Sequence, residues 1–269
     1  MKKYIFFFLL PIFFACSDES SDSDNNNSNN PNVQKLIESI TLISGDCLNP
    51  SQGNLWLNYD DQNRISSFQS QVFDINSGCN TLDSNMQIRE MEIEYTDDEL
   101  ILHYQNEALS FPVNDEGLLD DPNTTFENGY LISSNGNAIF NEGGCDRVLE
   151  WVDNNLISSI EEGWPDCGDD TSSGDINGSV FNEYYQNLNP IQYYTPSRYN
   201  DFLNVLMMTG LFGKSSQNLI LSETWDNGNR INNYQYQFDN DGYPIEIYIE
   251  SVSNSGWVAT VGYQITYIQ

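Results

Sequence analysis

The chain predicts a mainly β protein: a curved antiparallel meander of hairpins, forming an open or partly closed barrel-like sheet, with one short amphipathic helix. Three observations point there. Apolar and polar side chains alternate on both sides of short acidic, Asn- or Gly-containing turns at several places, and only one segment has helical periodicity. The spacing between hairpins is irregular, which excludes a solenoid or propeller of fixed period.

The clearest hairpin is residues 234–250. Tyr234, Tyr236 and Phe238 alternate with Gln235 and Gln237; Ile245, Ile247 and Ile249 alternate with Glu246 and Tyr248. Between them lies Asp239-Asn240-Asp241-Gly242, where Gly242 supplies the positive φ of a short turn. A second copy runs from Leu55 through Asp60-Asp61-Gln62-Asn63 to Phe73, with Asn63 in the place of Gly242. Further copies surround Thr96-Asp97-Asp98-Glu99 and Asp153-Asn154, and a weaker one spans residues 113–119.

The helix is expected over residues 196–209. Thr195 is its N-cap, Pro196 its first residue, and Tyr199, Phe202, Leu203 and Leu206 follow at i, i+3, i+4 and i+7 before Gly210. Its apolar face is expected to pack on the concave or end face of the sheet, because a half-closed sheet needs a plug for its core.

Residues 1–15 have the make-up of a secretory signal peptide: Lys2 and Lys3, then a short run rich in Phe, Ile and Leu. About 12 apolar residues are too few to span a bilayer, which takes about 20. Phe13-Phe14-Ala15-Cys16 resembles the lipobox of bacterial lipoproteins, whose cysteine receives the lipid; Phe13 stands where Leu is usual. Residues 16–32 would be the lipidated Cys16 and an acidic, Asn- and Ser-rich tether that buries too little apolar surface to fold. As a flexible coil it spans about 22 Å. Its acidic residues after Cys16 resemble the export signal of Bacteroidetes surface lipoproteins. Residues 33–269 then read as a single domain.

The formal net charge is −31, and loss of Lys2 and Lys3 makes it more negative. Such acidity argues against nucleic acid and against direct adsorption to anionic headgroups. Partners left open are the membrane, through the N-terminal lipid, neutral polysaccharide, and cations; no cofactor is expected. Beyond Cys16, four cysteines remain. Hairpin geometry favours Cys47–Cys79 and Cys145–Cys167, each closing the open end of a hairpin. A zinc site lacks a Cys-x-x-Cys pair, and His103 is the sole histidine.

The segment Gly210-Leu211-Phe212-Gly213-Lys214-Ser215-Ser216-Gln217-Asn218-Leu219, followed by Tyr234-Gln235-Tyr236-Gln237-Phe238, Gly242-Tyr243-Pro244 and a closing strand over residues 261–267, resembles a family of uncharacterised Bacteroidetes lipoproteins. The likeness is clearest over residues 187–269. It implies a porin-like, strongly curved antiparallel fold and an envelope location, and carries no activity. The hairpins also resemble YD-type repeats in their turn chemistry.

Candidate sites are few. Histidine is the side chain that acid–base catalysis most often recruits, but His103 stands alone on a strand, so a surface or cross-strand role is expected. Asp169, Thr171, Ser173, Asp175 and Asn177 place oxygens at alternate positions with Gly174 sixth, partly like a calcium loop, although Val180 takes the position of the usual Glu. Trp164, Tyr184, Tyr185, Tyr193, Tyr194 and Trp257 fall near turns or connections, where a ring could stack on a sugar. The reading is an outer-membrane-anchored lipoprotein with a non-enzymatic binding or scaffolding role and a glycan as ligand. Its alternatives are a carboxylate-based glycoside hydrolase, working through a pair of acids, and a purely structural envelope protein.

Overall fold

The structure is a computed structural model; it describes residues 35–45, 53–72, 88–104, 107–135, 146–162, 175–186 and 201–268. The chain divides into two units, Met1–Val33, which lies outside the described residues, and Gln34–Gln269. The signal peptide, Cys16, the tether, the four remaining cysteines and residues 187–200 are therefore outside the described residues.

Among the described residues the second unit holds one antiparallel sheet of fifteen strands and one α-helix. The strands are β1 (Leu36–Gly45), β2 (Gly53–Tyr59), β3 (Ile65–Val72), β4 (Ile88–Tyr95), β5 (Glu99–Tyr104), β6 (Glu107–Pro112), β7 (Thr124–Glu127) and β8 (Tyr130–Asn135). They continue with β9 (Asp146–Val152), β10 (Asn155–Glu162), β11 (Ile176–Gln186), β12 (Asn218–Trp225), β13 (Arg230–Phe238), β14 (Pro244–Ser253) and β15 (Val258–Ile268). The helix α1 is Asp201–Met208.

The meander begins in its own middle. Strand β1 pairs with β2 on one side and β15 on the other; the chain runs out to one edge at β6, reappears at the opposite edge as β7, and returns to β15. That crossing requires curvature. Fifteen strands at about 4.8 Å spacing would be about 67 Å wide if flat, whereas residues 113–123 can bridge at most about 43 Å. The two edges must bend toward each other.

The pleat sorts the side chains accordingly. Ile40, Leu55, Leu57, Phe68, Met91, Ile93, Leu100, Leu102, Ile247, Tyr263 and Ile265 form one buried cluster, while Glu90, Glu92, Glu94, Gln235, Gln237, Glu250 and Gln264 alternate with members of it on the exposed face. Val205 and Leu206 of α1 join the cluster with no exposed surface, so the helix plugs the sheet as expected. Residues 196–200 of the expected helix lie outside the described residues; Gly210, at φ 85°, follows its C-terminal end.

The five predicted hairpins differ in quality. The hairpin of β13 and β14 pairs Tyr234 with Ile249 and Tyr236 with Ile247. At its turn, Asp239 Oδ1 accepts the amides of Asp241 and Tyr243, both at 2.9 Å, and Gly242 has φ 86°. Asp60 repeats this on the amides of Gln62 and Arg64, with Asn63 at φ 62° in place of the glycine. Asn114 repeats it again on Glu116 and Leu118, and residues 113–119 close a minimal hairpin of one bridge, Val113 to Leu119, with Asn114 N on Leu118 O at 2.9 Å and Asp120 N on Pro112 O at 2.8 Å. Tyr59, Tyr95, Tyr236 and Tyr267, near the same ends of their strands, each donate a hydroxyl hydrogen bond to a backbone carbonyl of another strand, those of Ile37, Ile65, Ile220 and Pro244. Each ring can thus bury its apolar body without stranding its oxygen.

The segment carrying the family resemblance is a latch. Leu211 O accepts Leu119 N at 2.9 Å, Gly213 bridges Tyr130, and Lys214 N donates to Gly129 O at 2.8 Å. Gln217 N reaches Asn154 O at 2.9 Å, and Ser216 Oγ accepts Leu156 N at 2.9 Å. Residues 211–217 therefore join the crossing connection to the turns of the β7–β8 and β9–β10 hairpins.

Candidate functional site

The two ends of the sheet are unlike. At one, here the turn end, lie the short turns at Asp60, Thr96, Asn128-Gly129, Asp153-Asn154 and Asp239, together with α1 and its latch. At the other, the loop end, residues 46–52, 73–87, 136–145 and 163–174, all outside the described residues, join strands alongside the short connections 226–229 and 254–257. Cys47, Cys79, Cys145 and Cys167 fall one in each of these four connections.

On the core side of the sheet, toward the loop end, the lining turns polar. Glu223 on β12 lies opposite Asn232 on β13, and Trp225 lies opposite Arg230. The period of two puts Tyr234 on the same face. Glu223 is 7% exposed, and its Oε2 accepts the Tyr234 hydroxyl at 2.6 Å and Trp225 Nε1 at 3.0 Å. Ser251 Oγ donates to Asn232 Oδ1 at 2.8 Å. The Arg230 guanidinium rests 4.7 Å from the Trp225 ring centroid, and its Nε is buried with no hydrogen-bond partner.

Burial pushes the Glu223 carboxyl above its usual range, against the pull of Tyr234, Trp225, Asn232 and Arg230, which favour the anion. Burial and the Glu223 charge push the Tyr234 hydroxyl upward as well. A proton held this way suits an acid, but Oε2 already takes two donors and the carboxyl is closed off. The arrangement is a polar lock between β12 and β13. Sequence reasoning missed it. The signal was weak: Leu219-Ile220-Leu221 gives no alternation, and a register shift puts Ile220 rather than Leu221 in the core before Glu223.

The predicted site residues scatter. His103 is on the exposed face, its Nε2 3.0 Å from Glu94 Oε2, a cross-strand pair. Of the calcium candidates, Asp169, Thr171 and Ser173 lie outside the described residues; the Asp175 carbonyl accepts Asp226 N at 3.0 Å, and Asn177 Oδ1 accepts the Asn227 amide. Among the described residues no group of three His, Cys, Asp or Glu could hold a metal ion. Trp164, Tyr193 and Tyr194 lie outside the described residues, and Tyr184 and Tyr185 are on β11 with only their backbone described. Trp257 is half-buried in the β14–β15 turn, at the loop end, where Ser253 Oγ accepts its amide at 3.2 Å. Among the described candidates, Asp175 and Asn177 meet at the turn of residues 226–228, and His103 and Trp257 lie elsewhere.

Among solved structures, a porin-like protein from Bacteroides uniformis ATCC 8492 matches with a TM-score of 0.60 at 14% identity, over 87% of this chain and 96% of that one. The chain has the porin-like fold. A porin-like protein from Bacteroides vulgatus ATCC 8482 matches over 87% of this chain and 99% of that one, with a TM-score of 0.40 at 12% identity. No protein-family model and no curated protein matches the sequence. The polarity of this sheet is the reverse of that of a membrane-spanning barrel. A membrane-spanning barrel carries an apolar band outside and polar groups within, whereas this sheet packs Phe68, Leu102 and Leu206 inside and sets Glu90, Glu92 and Glu94 along the outside of β4. Among the described residues no helix is long and apolar enough to cross a membrane.

Proposed function

We propose that this protein is an outer-membrane lipoprotein, anchored through Cys16, whose sheet is a non-enzymatic scaffold at the cell envelope with neutral polysaccharide as its ligand. The observation that carries the reading is the placement of the chain's entry. The tether would join the sheet at β1, at the turn end, where Lys35 Nζ bonds Asp239 Oδ2 at 2.7 Å and also Asp241, and Lys35 N donates to the Tyr243 hydroxyl at 3.2 Å. The four connections that carry Cys47, Cys79, Cys145 and Cys167 leave from the opposite end, about 30 Å away along the ten residues of β1. A lipid on Cys16 would thus attach the domain through the strand that begins at Leu36, by a flexible coil of about 22 Å.

The reversed polarity supports the same reading. Charged residues on the outside of a barrel are costly at bilayer depth, so membrane attachment falls to the lipid. The side chains packed inside leave the interior to structure rather than to passage of solute.

Two measurements test it. Labelling with a fatty-acid precursor should mark the wild type and not Cys16→Ser; label on both would sink the anchor. Protease added to intact cells should degrade the wild type and spare a variant with Asp18, Glu19, Asp22 and Asp24 changed to Ala. Protection of both would place the protein on the inner leaflet and remove extracellular polysaccharide as its ligand.

A further inference from the structure

On the outer face of β13, β14 and β15, a single aromatic ring lies in a field of polar side chains. Tyr248 sits opposite Gln235 on β13 and Gly262 on β15, and Gly262 sits opposite Ser44 on β1. The next row on one side is Gln237, Glu246 and Gln264; on the other it is Asn233, Glu250 and Thr260. Lys and Arg are absent from these described rows. Tyr248 is 36% exposed.

The ring lies down on the sheet. A Cβ added at Gly262 would fall 2.6 Å from Ser44 Oγ and 2.9 Å and 3.0 Å from two ring carbons of Tyr248, so the absence of a side chain there makes the space that the ring and the Ser44 hydroxyl share. Its hydroxyl, bonded to Glu246 Oε2 at 2.9 Å, ties the far end down. A strand interior is a costly place for glycine, and one found there often marks a close approach. The close approach here is a tyrosine that would otherwise stand away from the sheet.

We propose that Tyr248 is the stacking platform of a neutral-polysaccharide site on this face. The inference rests on the glycan reading above and supplies it with a location. A pyranose offers a C–H face that packs on a flat ring and a rim of hydroxyls that need both donors and acceptors. Carboxamides of Gln235, Gln237 and Gln264 provide both, and the carboxylates of Glu246 and Glu250 accept. Polyanions are disfavoured twice, by those carboxylates and by the net charge of −31. The open, unwalled surface suits a chain running across strands more than a small molecule, which would be held in a concave pocket.

The test is affinity electrophoresis of the full-length protein in detergent, through gels containing starch, mannan, xyloglucan or mixed-linkage β-glucan. Wild type should be retarded by at least one of them. Tyr248→Ala should weaken that affinity tenfold or more, Tyr248→Phe by no more than about twofold, and Gly262→Ala, which displaces the ring, by severalfold. Melting curves of the three variants separate lost binding from lost folding, and an unfolded Gly262→Ala leaves the Tyr248 pair to decide. Equal retardation of wild type and Tyr248→Ala would overturn the platform while leaving a glycan-binding protein. Retardation of wild type by none of the four would remove the glycan reading and the platform with it.

Discussion

The Tyr234 hydroxyl donates to Glu223 Oε2 at 2.6 Å inside the sheet, so a buried acid and a buried phenol on neighbouring strands share one hydrogen bond. Burial raises the Glu223 pKa, and that sets the sign of a pH effect. An acid whose folded pKa lies above its unfolded value, near 4.5, contributes stability that is fully present below that value and lost as pH rises through the folded one. The wild type should therefore gain stability, relative to Glu223→Gln, as pH falls from 7 toward 5. Urea midpoints of the two proteins measured across that range check it, and parallel profiles would show that Glu223 does not titrate there. Tyr234→Phe leaves Glu223 short of a donor and should cost about 1–3 kcal/mol at pH 7.

Leu206 carries the helix into the core. With no exposed surface and a place in the main cluster, Leu206→Ala should cost about 2–5 kcal/mol. Leu109, 50% exposed on β6, should change by no more than about 0.5 kcal/mol when cut to Ala. Equal denaturation midpoints for the two variants would mean that the helix is not the plug of the sheet.

Lys35 and Asp239 separate an ion pair from a turn. Lys35→Ala removes a partly buried pair at the sheet's end and should cost less than about 1 kcal/mol, an effect that shrinks in high salt. Asp239→Ala also removes the acceptor of two turn amides and should cost about 1–2 kcal/mol more, with little salt dependence in that excess. A double-mutant cycle read by chemical denaturation at two salt concentrations distinguishes the two contributions.

The expected cysteine pairing joins connections that are neighbours in strand order, β1–β2 to β3–β4 and β8–β9 to β10–β11, and can be tested directly. Peptide mapping without reduction should recover Cys47 linked to Cys79 and Cys145 linked to Cys167. Each bond should be worth about 2–4 kcal/mol, so reduction should lower the melting temperature by several degrees. Recovery of the other pairings, or of free thiols, would break the assignment.

Much of the architecture was legible locally. A turn such as Asp239-Asn240-Asp241-Gly242 announces itself because a carboxylate accepting two amides and a residue at positive φ are properties of four or five adjacent residues. The same rules could have found the β7–β8 hairpin from Asn128-Gly129, which has φ of 54° and 81° and was the plainest hairpin signal left unread. Residues 113–119 show the converse. Their turn chemistry is as good as that at Asp60, but the chain there must cross between the two sheet edges, so a single bridge forms instead of a ladder.

The sequence by itself determined the strands, the turns, the position of the helix and the acidity, because each depends on neighbours within a few residues. Only the tertiary structure decided that β1 meets β15, that residues 211–217 latch the crossing connection to two distant turns, and that Tyr248 lies on Gly262. The physical reason is range. Pairing across the sheet joins residues more than two hundred positions apart, and which face a side chain finally shares with which partner is set by register and curvature, neither of which any short stretch of chain encodes.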